Sequence, residues 1–198
     1  MQRRALLIDR DGTVCEDVGY LDRPEALNLL PGAVGALAAA QRAGFQLVLV
    51  TNQAGVGHGR LDELMLDSIH DRLRALLDEG GARLDGIYYC PHHPEAALPR
   101  YRVECACRKP KPGMLLRARD EMGVDLASSY LVGDHPRDIE AGAAAGVTSI
   151  LVLTGHGRRL WLEAPSPPPV RPAHVAPDLA GAVDWILERE RASAGTRA

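Results

Sequence analysis

Asp9 and Asp11 are the residues whose types and spacing most directly predict chemistry in this sequence of 198 residues. They follow the apolar run Leu6-Leu7-Ile8, which is typical of a buried strand, and Gly12-Thr13 after them allows a sharp exit. A strand that ends here would place both carboxylates at the carboxyl edge of a sheet, where open α/β folds bind their ligands. One carboxylate can then attack a substrate while the other moves a proton.

Three further polar segments are predicted to end strands and therefore to gather along the same edge. Thr51-Asn52-Gln53 offers a hydroxyl and backbone N–H groups that suit phosphate oxygens. Arg108-Lys109-Pro110 provides two cations beside a turn, and the segment from Gly133 to Asp138 provides a further pair of carboxylates, Asp134 and Asp138. Together with the first pair of aspartates, these segments predict a site for phosphate transfer.

The predicted site needs a divalent cation because a phosphomonoester is dianionic and repels an attacking carboxylate. Mg²⁺ offsets that repulsion and prefers oxygen ligands. We expect the carboxylates of Asp9 and Asp134 and the backbone carbonyl of Asp11 to bind Mg²⁺, while Lys109 and Thr51 hold the remaining phosphate oxygens. Asp9 would form an aspartyl-phosphate, and Asp11 would act as general acid and then as general base.

Each of these motifs also has a purely structural interpretation. A D-x-D after a strand can be a turn or a cap, Thr51-Asn52 can cap a helix, and Lys109 can be solvated. Four independent signals in this order favour catalysis over coincidence.

Strands and helices alternate along the chain in the pattern of a parallel sheet covered by helices on both faces. Continuous apolar runs such as Leu47-Val48-Leu49-Val50 support buried strands. The predicted strands cover 5–8, 46–51, 86–90, 129–133 and 148–153, and the predicted helices cover 33–43, 62–79, 113–122, 136–145 and a last one from about Asp178. A proline-rich segment at about 165–172 is predicted to be a stiff loop.

Composition indicates one globular domain over residues 1–198. The chain is 46% apolar and 25% charged with a net charge of −3, which does not favour nucleic acid as a partner. No run of 18 or more apolar residues predicts a membrane span. The residues Met1-Gln2-Arg3-Arg4 lead directly into the first strand, so we expect a cytoplasmic protein, and we expect a monomer.

Three cysteines and two histidines form a second candidate site. Cys90-Pro91-His92-His93 is followed after a loop by Cys105-Ala106-Cys107, and three thiolates with one imidazole suit a tetrahedral structural Zn²⁺ site. Either histidine can be the fourth ligand. The alternatives are a Cys90–Cys105 disulfide, which a cytosolic chain disfavours, or free buried thiols.

The motifs Asp9-Arg10-Asp11-Gly12-Thr13, Thr51-Asn52, Lys109 and Gly133-Asp134 resemble the four motifs of the haloacid dehalogenase superfamily of phosphatases. Within it the chain is similar to the branch without a large cap, which contains heptose 1,7-bisphosphate phosphatases and histidinol-phosphate phosphatases. The resemblance implies a Rossmann-like three-layer fold, Mg²⁺ dependence, and the roles given above to the two aspartates. It also implies a zinc-stapled loop at about 90–107 with His92 as the ligand.

The resemblance to the heptose branch is carried by the segment 17–21, by 85–90 and by the insert between the zinc half-sites. It implies removal of the C7 phosphate of D-glycero-D-manno-heptose 1,7-bisphosphate, with histidinol phosphate as the alternative substrate and a non-catalytic zinc-organised phosphate-binding module as a further alternative. The residues expected to bind the phosphorylated sugar are Gly19, Tyr20, Asn52, His58, Arg108 and His135. Two of them depart from the heptose pattern, since arginine is usual at His58 and lysine at His135.

Overall fold

The computed structural model describes residues 3–163 and 170–195, and it confirms the expected α/β architecture. Six strands run through this part of the chain: β1 (Ala5–Ile8), β2 (Gln46–Asn52), β3 (Gly86–Cys90), β4 (Tyr130–Gly133), β5 (Thr148–Val152) and β6 (His174–Ala176). The α-helices are α1 (Ala33–Arg42), α2 (Ala54–Gly57), α3 (Glu63–Glu79), α4 (Gly113–Met122), α5 (Pro136–Ala145), α6 (Gly157–Leu162) and α7 (Leu179–Gly195).

All six strands belong to one parallel sheet with the order β3-β2-β1-β4-β5-β6. The central strand β1 pairs on one side with β2, where Leu6 lies opposite Leu47, and on the other side with β4, where Leu6 lies opposite Tyr130. The chain builds the sheet outwards from β1 to β3 and then returns to continue from β4 to β6. The strand order therefore reverses between β1 and β4, and doubly wound folds bind their ligands at such a switch point.

The helices cover the sheet in two layers because β1 is apolar on both faces. Leu6 and Ile8 point into a core that includes residues of α1, α3 and α7, such as Leu37, Leu73 and Ile186. Ala5 and Leu7 point into the opposite core, which includes residues of α4 and α5. Burial on both faces explains why this strand is a continuous apolar run rather than an alternating one.

The sequence predicted the long elements and missed the short ones. Helices α2 and α6 and strand β6 were not predicted, because segments of four, six and three residues are too short to establish a period. The expectation that the two cations at 108–109 follow a strand was wrong. They end the long connection from β3 to α4 and are brought to the sheet edge by that loop.

Two expectations concern the rest of the chain. Residues 165–169 of the predicted proline-rich loop lie outside the described residues. Over 3–163 and 170–195, no helix combines the length and the apolar character needed to cross a bilayer.

His70 on α3 is a titratable group held in the core beside β3. It is 3% exposed, and its Nε2 has no hydrogen-bond partner among the described residues. Burial, together with the charge of Arg10, lowers the pKa of His70 to about 3, so the folded protein holds the imidazole neutral.

We predict that His70 makes the protein sensitive to mild acid. An unfolded chain protonates this histidine near its ordinary pKa, whereas the folded chain does not, so the free energy of unfolding falls as the pH drops below about 6.5. Between pH 7 and pH 5 the loss from this group is about 2 kcal/mol. Denaturant titrations of wild type and of His70→Gln at both pH values would measure it, and equal losses in the two proteins would contradict the prediction.

Candidate active site

The carboxyl ends of β1, β2 and β4 bring the predicted catalytic side chains together at the switch point. Asp9 follows β1 and is fixed by its backbone N–H, which donates to the carbonyl of Val132 at 3.0 Å. Thr51 lies in the last turn of β2, and Asp134 directly follows β4. All three polar side chains are at most 5% exposed. The predicted grouping of these residues is therefore present in the fold.

Lys109 reaches this group from the loop before α4 and makes the closest contacts in it. Its Nζ lies 3.0 Å from Asp9 Oδ1 and 2.6 Å from Asp138 Oδ1, and it donates to the carbonyl of Val50 at 2.7 Å. Burial lowers the pKa of Lys109, but the charges of Asp138 and Asp9 outweigh burial and raise it. The three N–H donors of a charged ammonium thus have three protein acceptors, which makes Lys109 an anchor for Asp9.

Asp138 is the residue that sequence reasoning noticed but did not place in the site. It lies in the first turn of α5, is fully buried, and accepts a hydrogen bond from the backbone N–H of His135 at 3.1 Å. Its spacing four residues after Asp134 was the available signal. Its contact with Lys109, however, depends on how the 91–112 loop crosses the sheet edge, and no local pattern encodes that.

Gly12 and Gly155 let the backbone close around Asp134. Gly12 has a φ of +73°, and a Cβ there would lie 2.3 Å from Asp134 Oδ2. A Cβ on Gly155 would lie 2.2 Å from the same oxygen, which also accepts a hydrogen bond from the backbone N–H of His156 at 2.7 Å. Any side chain at either glycine would displace Asp134.

Negative charge exceeds positive charge in this buried group. Carboxylate oxygens of Asp9, Asp134 and Asp138 lie within 4.8 Å of one another, and one ammonium, that of Lys109, contacts two of them. Burial and the charge of Asp9 raise the pKa of Asp134 to about 8. Hard oxygen donors with uncompensated charge suit a divalent cation such as Mg²⁺, so the residues present fit the metal that the sequence predicted.

Asn52 connects the anchor to β2. Its side chain donates from Nδ2 to the carbonyl of Lys109 at 3.1 Å and accepts at Oδ1 from the backbone N–H of Lys109 at 3.1 Å. This pair of hydrogen bonds fixes the loop at the position from which the lysine reaches Asp9. Asn52 also lines the cleft above the site, as predicted.

A cleft of about 540 Å³ opens above the buried group and exposes Asp11 at its floor. Five of the six residues predicted to bind the sugar line it, namely Gly19, Tyr20, Asn52, His58 and Arg108. The sixth, His135, instead accepts at Nδ1 from the backbone N–H of Arg137 at 3.2 Å and so caps α5.

Three titratable residues that the sequence did not suggest also line the cleft. His93 lies beside His58, with 5.0 Å between the ring centroids. His156 Nε2 lies 2.9 Å from Asp17 Oδ2 across the cleft rim. Arg137, in the first turn of α5, is the third. These residues come from separate loops, and loop packing alone brings them together.

The second candidate site is assembled as the sequence predicted. Sγ of Cys107 lies 3.1 Å from Sγ of Cys90 and 3.3 Å from Sγ of Cys105, and His92 Nδ1 lies 3.4 Å from Cys107 Sγ. The Sγ atoms of Cys90 and Cys105 are 3.5 Å apart, well beyond the disulfide bond length of about 2.05 Å. The four ligand atoms, with His92 rather than His93, lie within 4.8 Å of one another and can hold one metal ion.

Comparison with known proteins places the chain among phosphatases. Residues 106–182 match the family model described as HAD-hyrolase-like. The D-glycero-beta-D-manno-heptose-1,7-bisphosphate 7-phosphatase of Escherichia coli K12 is 39% identical over 184 residues, covering 92% of this chain and 87% of the relative. The enzyme of the same name from Vibrio cholerae is 46% identical over 156 residues, covering 78% of this chain and 84% of the relative.

A solved structure supports the same relationship. The D,D-heptose 1,7-bisphosphate phosphatase of B. bronchiseptica, crystallised with magnesium and phosphate, has a TM-score of 0.81 and 36% identity. The match covers 94% of this chain and 99% of that one.

We predict that Lys109 is worth several kcal/mol to the folded protein. Lys109→Met leaves buried carboxylates without their ammonium, and breaking a buried ion pair in this way costs about 3–5 kcal/mol. Adding Asp138→Asn to that variant removes one of the stranded charges and should recover part of the loss. Urea denaturation in chelator would measure both variants, and a double variant less stable than the single one would contradict this account.

Proposed function

Because the chain belongs to the heptose-1,7-bisphosphate phosphatase family of the haloacid dehalogenase-like hydrolases, we propose that it removes the C7 phosphate of D-glycero-D-manno-heptose 1,7-bisphosphate and releases heptose 1-phosphate. The observation that carries the proposal is the buried carboxylate group of Asp9, Asp134 and Asp138 around Lys109. It lies beneath a cleft lined by cations, so a dianionic ester can approach the nucleophile from the open side.

We propose that Asp9, Asp134 and the backbone carbonyl of Asp11 hold Mg²⁺. When bound, Mg²⁺ offsets the charge of the transferred phosphoryl group. Within the protein, Asp9 Oδ1 accepts hydrogen bonds from Lys109 and from the backbone N–H of Arg10 at 2.8 Å. Asp9 Oδ2 is then the oxygen that we assign to attack on phosphorus.

Two balanced steps follow from these assignments. In the first, the bond from Asp9 to phosphorus forms, the ester P–O bond breaks, and Asp11 gives its proton to the departing alkoxide. In the second, water attacks the aspartyl-phosphate, Asp11 takes the proton from water, and Asp9 and inorganic phosphate are released. The Thr51 hydroxyl and nearby N–H groups are proposed to hold the phosphoryl oxygens during both steps.

The direct test is phosphate release in Mg²⁺ from a panel that contains both anomers of heptose 1,7-bisphosphate, histidinol phosphate and simple sugar phosphates. We expect a heptose bisphosphate to give the highest kcat/KM. We expect Asp9→Asn to be inactive and Asp11→Asn to lose about 100-fold or more. A clear preference for histidinol phosphate would overturn the substrate, and near-normal activity in Asp9→Asn would overturn the mechanism.

The second phosphate of a bisphosphate is proposed to bind Arg108 and Arg137. Burial lowers the pKa of Arg108, and the charge of Arg137 lowers it further, so the two guanidinium groups repel each other across one cleft. Arg137 Nε is buried without a hydrogen-bond partner among the described residues. An anion between the two groups would relieve the repulsion and use that donor. Arg137 would thereby provide permanent charge where His58 and His135 do not.

We predict that Arg137→Met raises KM for the bisphosphate by about 10-fold or more, because a hydrogen bond to a charged group is worth about 1.5–3 kcal/mol. KM for a monophosphate with the same scissile ester should change little. Arg74→Met, on the exposed face of α3, is the control and should match wild type for both substrates. Equal changes in KM for the two substrates would argue against a second-phosphate contact.

The cluster of Cys90, His92, Cys105 and Cys107 is proposed to bind one structural Zn²⁺. Tetrahedral Zn–S bonds of about 2.3 Å would hold sulfurs about 3.8 Å apart, slightly farther than they lie here. Cys107 is followed at once by Arg108 and Lys109, so the metal would fix the loop that carries both cations. The expectations of a monomer and of a cytoplasmic location stay predictions.

We predict one zinc per chain in protein purified without chelator. Cys107→Ser should lose the metal, lower the melting temperature and reduce activity together, because the loop that positions Lys109 would loosen. Cys15→Ala, a buried cysteine outside the cluster, should keep the zinc. Elemental analysis that finds no zinc in wild type, or full zinc in Cys107→Ser, would contradict the assignment.

A further inference from the structure

We propose that Arg10 and Gln53 are positioning residues, which hold the carboxylate of Asp11 in the orientation for proton transfer. The inference rests on the function proposed above, in which Asp11 is the general acid and base. It concerns two side chains that the mechanism leaves without a task and that lie behind Asp11, on the side away from the cleft opening.

Arg10 grips Asp11 with two parallel hydrogen bonds. Arg10 Nε donates to Asp11 Oδ1 at 2.9 Å, and Arg10 Nη2 donates to Asp11 Oδ2 at 3.0 Å. A guanidinium that binds a carboxylate in this way fixes the plane of the carboxylate as well as its position. The side chain of Arg10 is 1% exposed and that of Asp11 is 24% exposed, so the fork lies in the core and its target faces the cleft.

Gln53 completes the arrangement and joins it to the phosphate-binding side of the site. Its Oε1 accepts from Arg10 Nη2 at 2.9 Å, while its Nε2 donates to Asp11 Oδ2 at 2.8 Å and to the hydroxyl of Thr51 at 2.9 Å. Cys15 adds a weaker contact, with its Sγ 3.7 Å from Asp11 Oδ1. Both oxygens of Asp11 are therefore held, and its position is coupled to that of Thr51.

The burial of Arg10 is costly for stability, which argues that it serves the site. Burial lowers the pKa of Arg10, and the charge of Asp11 and its hydrogen bonds more than restore it. Arg10 Nη1 is buried without a hydrogen-bond partner among the described residues, and an unpaired buried donor is unfavourable. An apolar side chain would avoid both costs, so packing does not explain an arginine here.

The arrangement is compatible with both protonation states of Asp11. When the residue is ionised, both oxygens accept the hydrogen bonds described above. When it carries a proton, one oxygen can direct that proton at the departing alkoxide while the other keeps a hydrogen bond to Arg10. Orientation then limits the rate only when the leaving oxygen needs a proton, which is true of an alkyl ester and much less so of an aryl ester.

The test compares two phosphomonoesters in the holoenzyme with Mg²⁺: p-nitrophenyl phosphate and the alkyl phosphate that the wild type cleaves best. In Arg10→Met we expect kcat for the alkyl ester to fall about 100-fold, the lower end of what general acid catalysis supplies. We expect kcat for the aryl ester to fall less than about 5-fold, because its leaving group departs without a proton. Gln53→Met should show the same difference at a smaller size, and it serves alone if Arg10→Met does not fold.

Arg119→Met is the matched control. Arg119 makes the same two-bond contact with the residue that follows it, Asp120, at 2.7 and 3.1 Å, but on the exposed surface of α4. We expect it to match wild type on both esters. Equal losses on the two esters in Arg10→Met and Gln53→Met would mean a structural role and would overturn the proposal, as would no loss. A wild type inactive on every ester would instead overturn the proposed function.

Discussion

The structure depends on buried negative charge that the protein only partly neutralises. Asp9, Asp134 and Asp138 converge at the end of the central strands, where water is excluded, and Lys109 is the ammonium that contacts two of them. Desolvated charges of one sign repel strongly, so the arrangement is stable only with a cation in the protein and a further one from outside. The same repulsion would be relieved each time a divalent metal and a phosphoryl group enter.

The fold makes this concentration of charge possible by supplying rigid attachment points. Asp9 and Asp134 project from neighbouring parallel strands at the switch point of the sheet, and Gly12 lets the first turn approach Asp134 closely. Lys109 comes from a loop that Asn52 fixes at one side and the cysteine cluster at the other. The metal-binding loop and the catalytic group are therefore parts of one mechanical unit.

The sequence predicted the parts of the site that local patterns encode. Asp9, Thr51 and Asp134 each end an apolar strand, and Cys90, Cys105 and Cys107 repeat a ligand spacing. Patterns could not reveal which side chains meet across loops. The contact of Lys109 with Asp138, the grip of Arg10 and Gln53 on Asp11, and the entry of Arg137 into the cleft all arise from tertiary packing. The short elements α6 and β6 escaped for a different reason, since their few residues carry no detectable period.

The central claim is that Asp9 attacks phosphorus and becomes phosphorylated. It is tested most directly by mixing substrate that carries radioactive phosphorus in the scissile ester with excess enzyme and Mg²⁺, and by quenching in acid within milliseconds. The account predicts label bound to the protein that hydroxylamine releases, as it does from acyl phosphates, and no bound label in Asp9→Asn. Rapid release of phosphate by wild type without any protein-bound label would contradict the account.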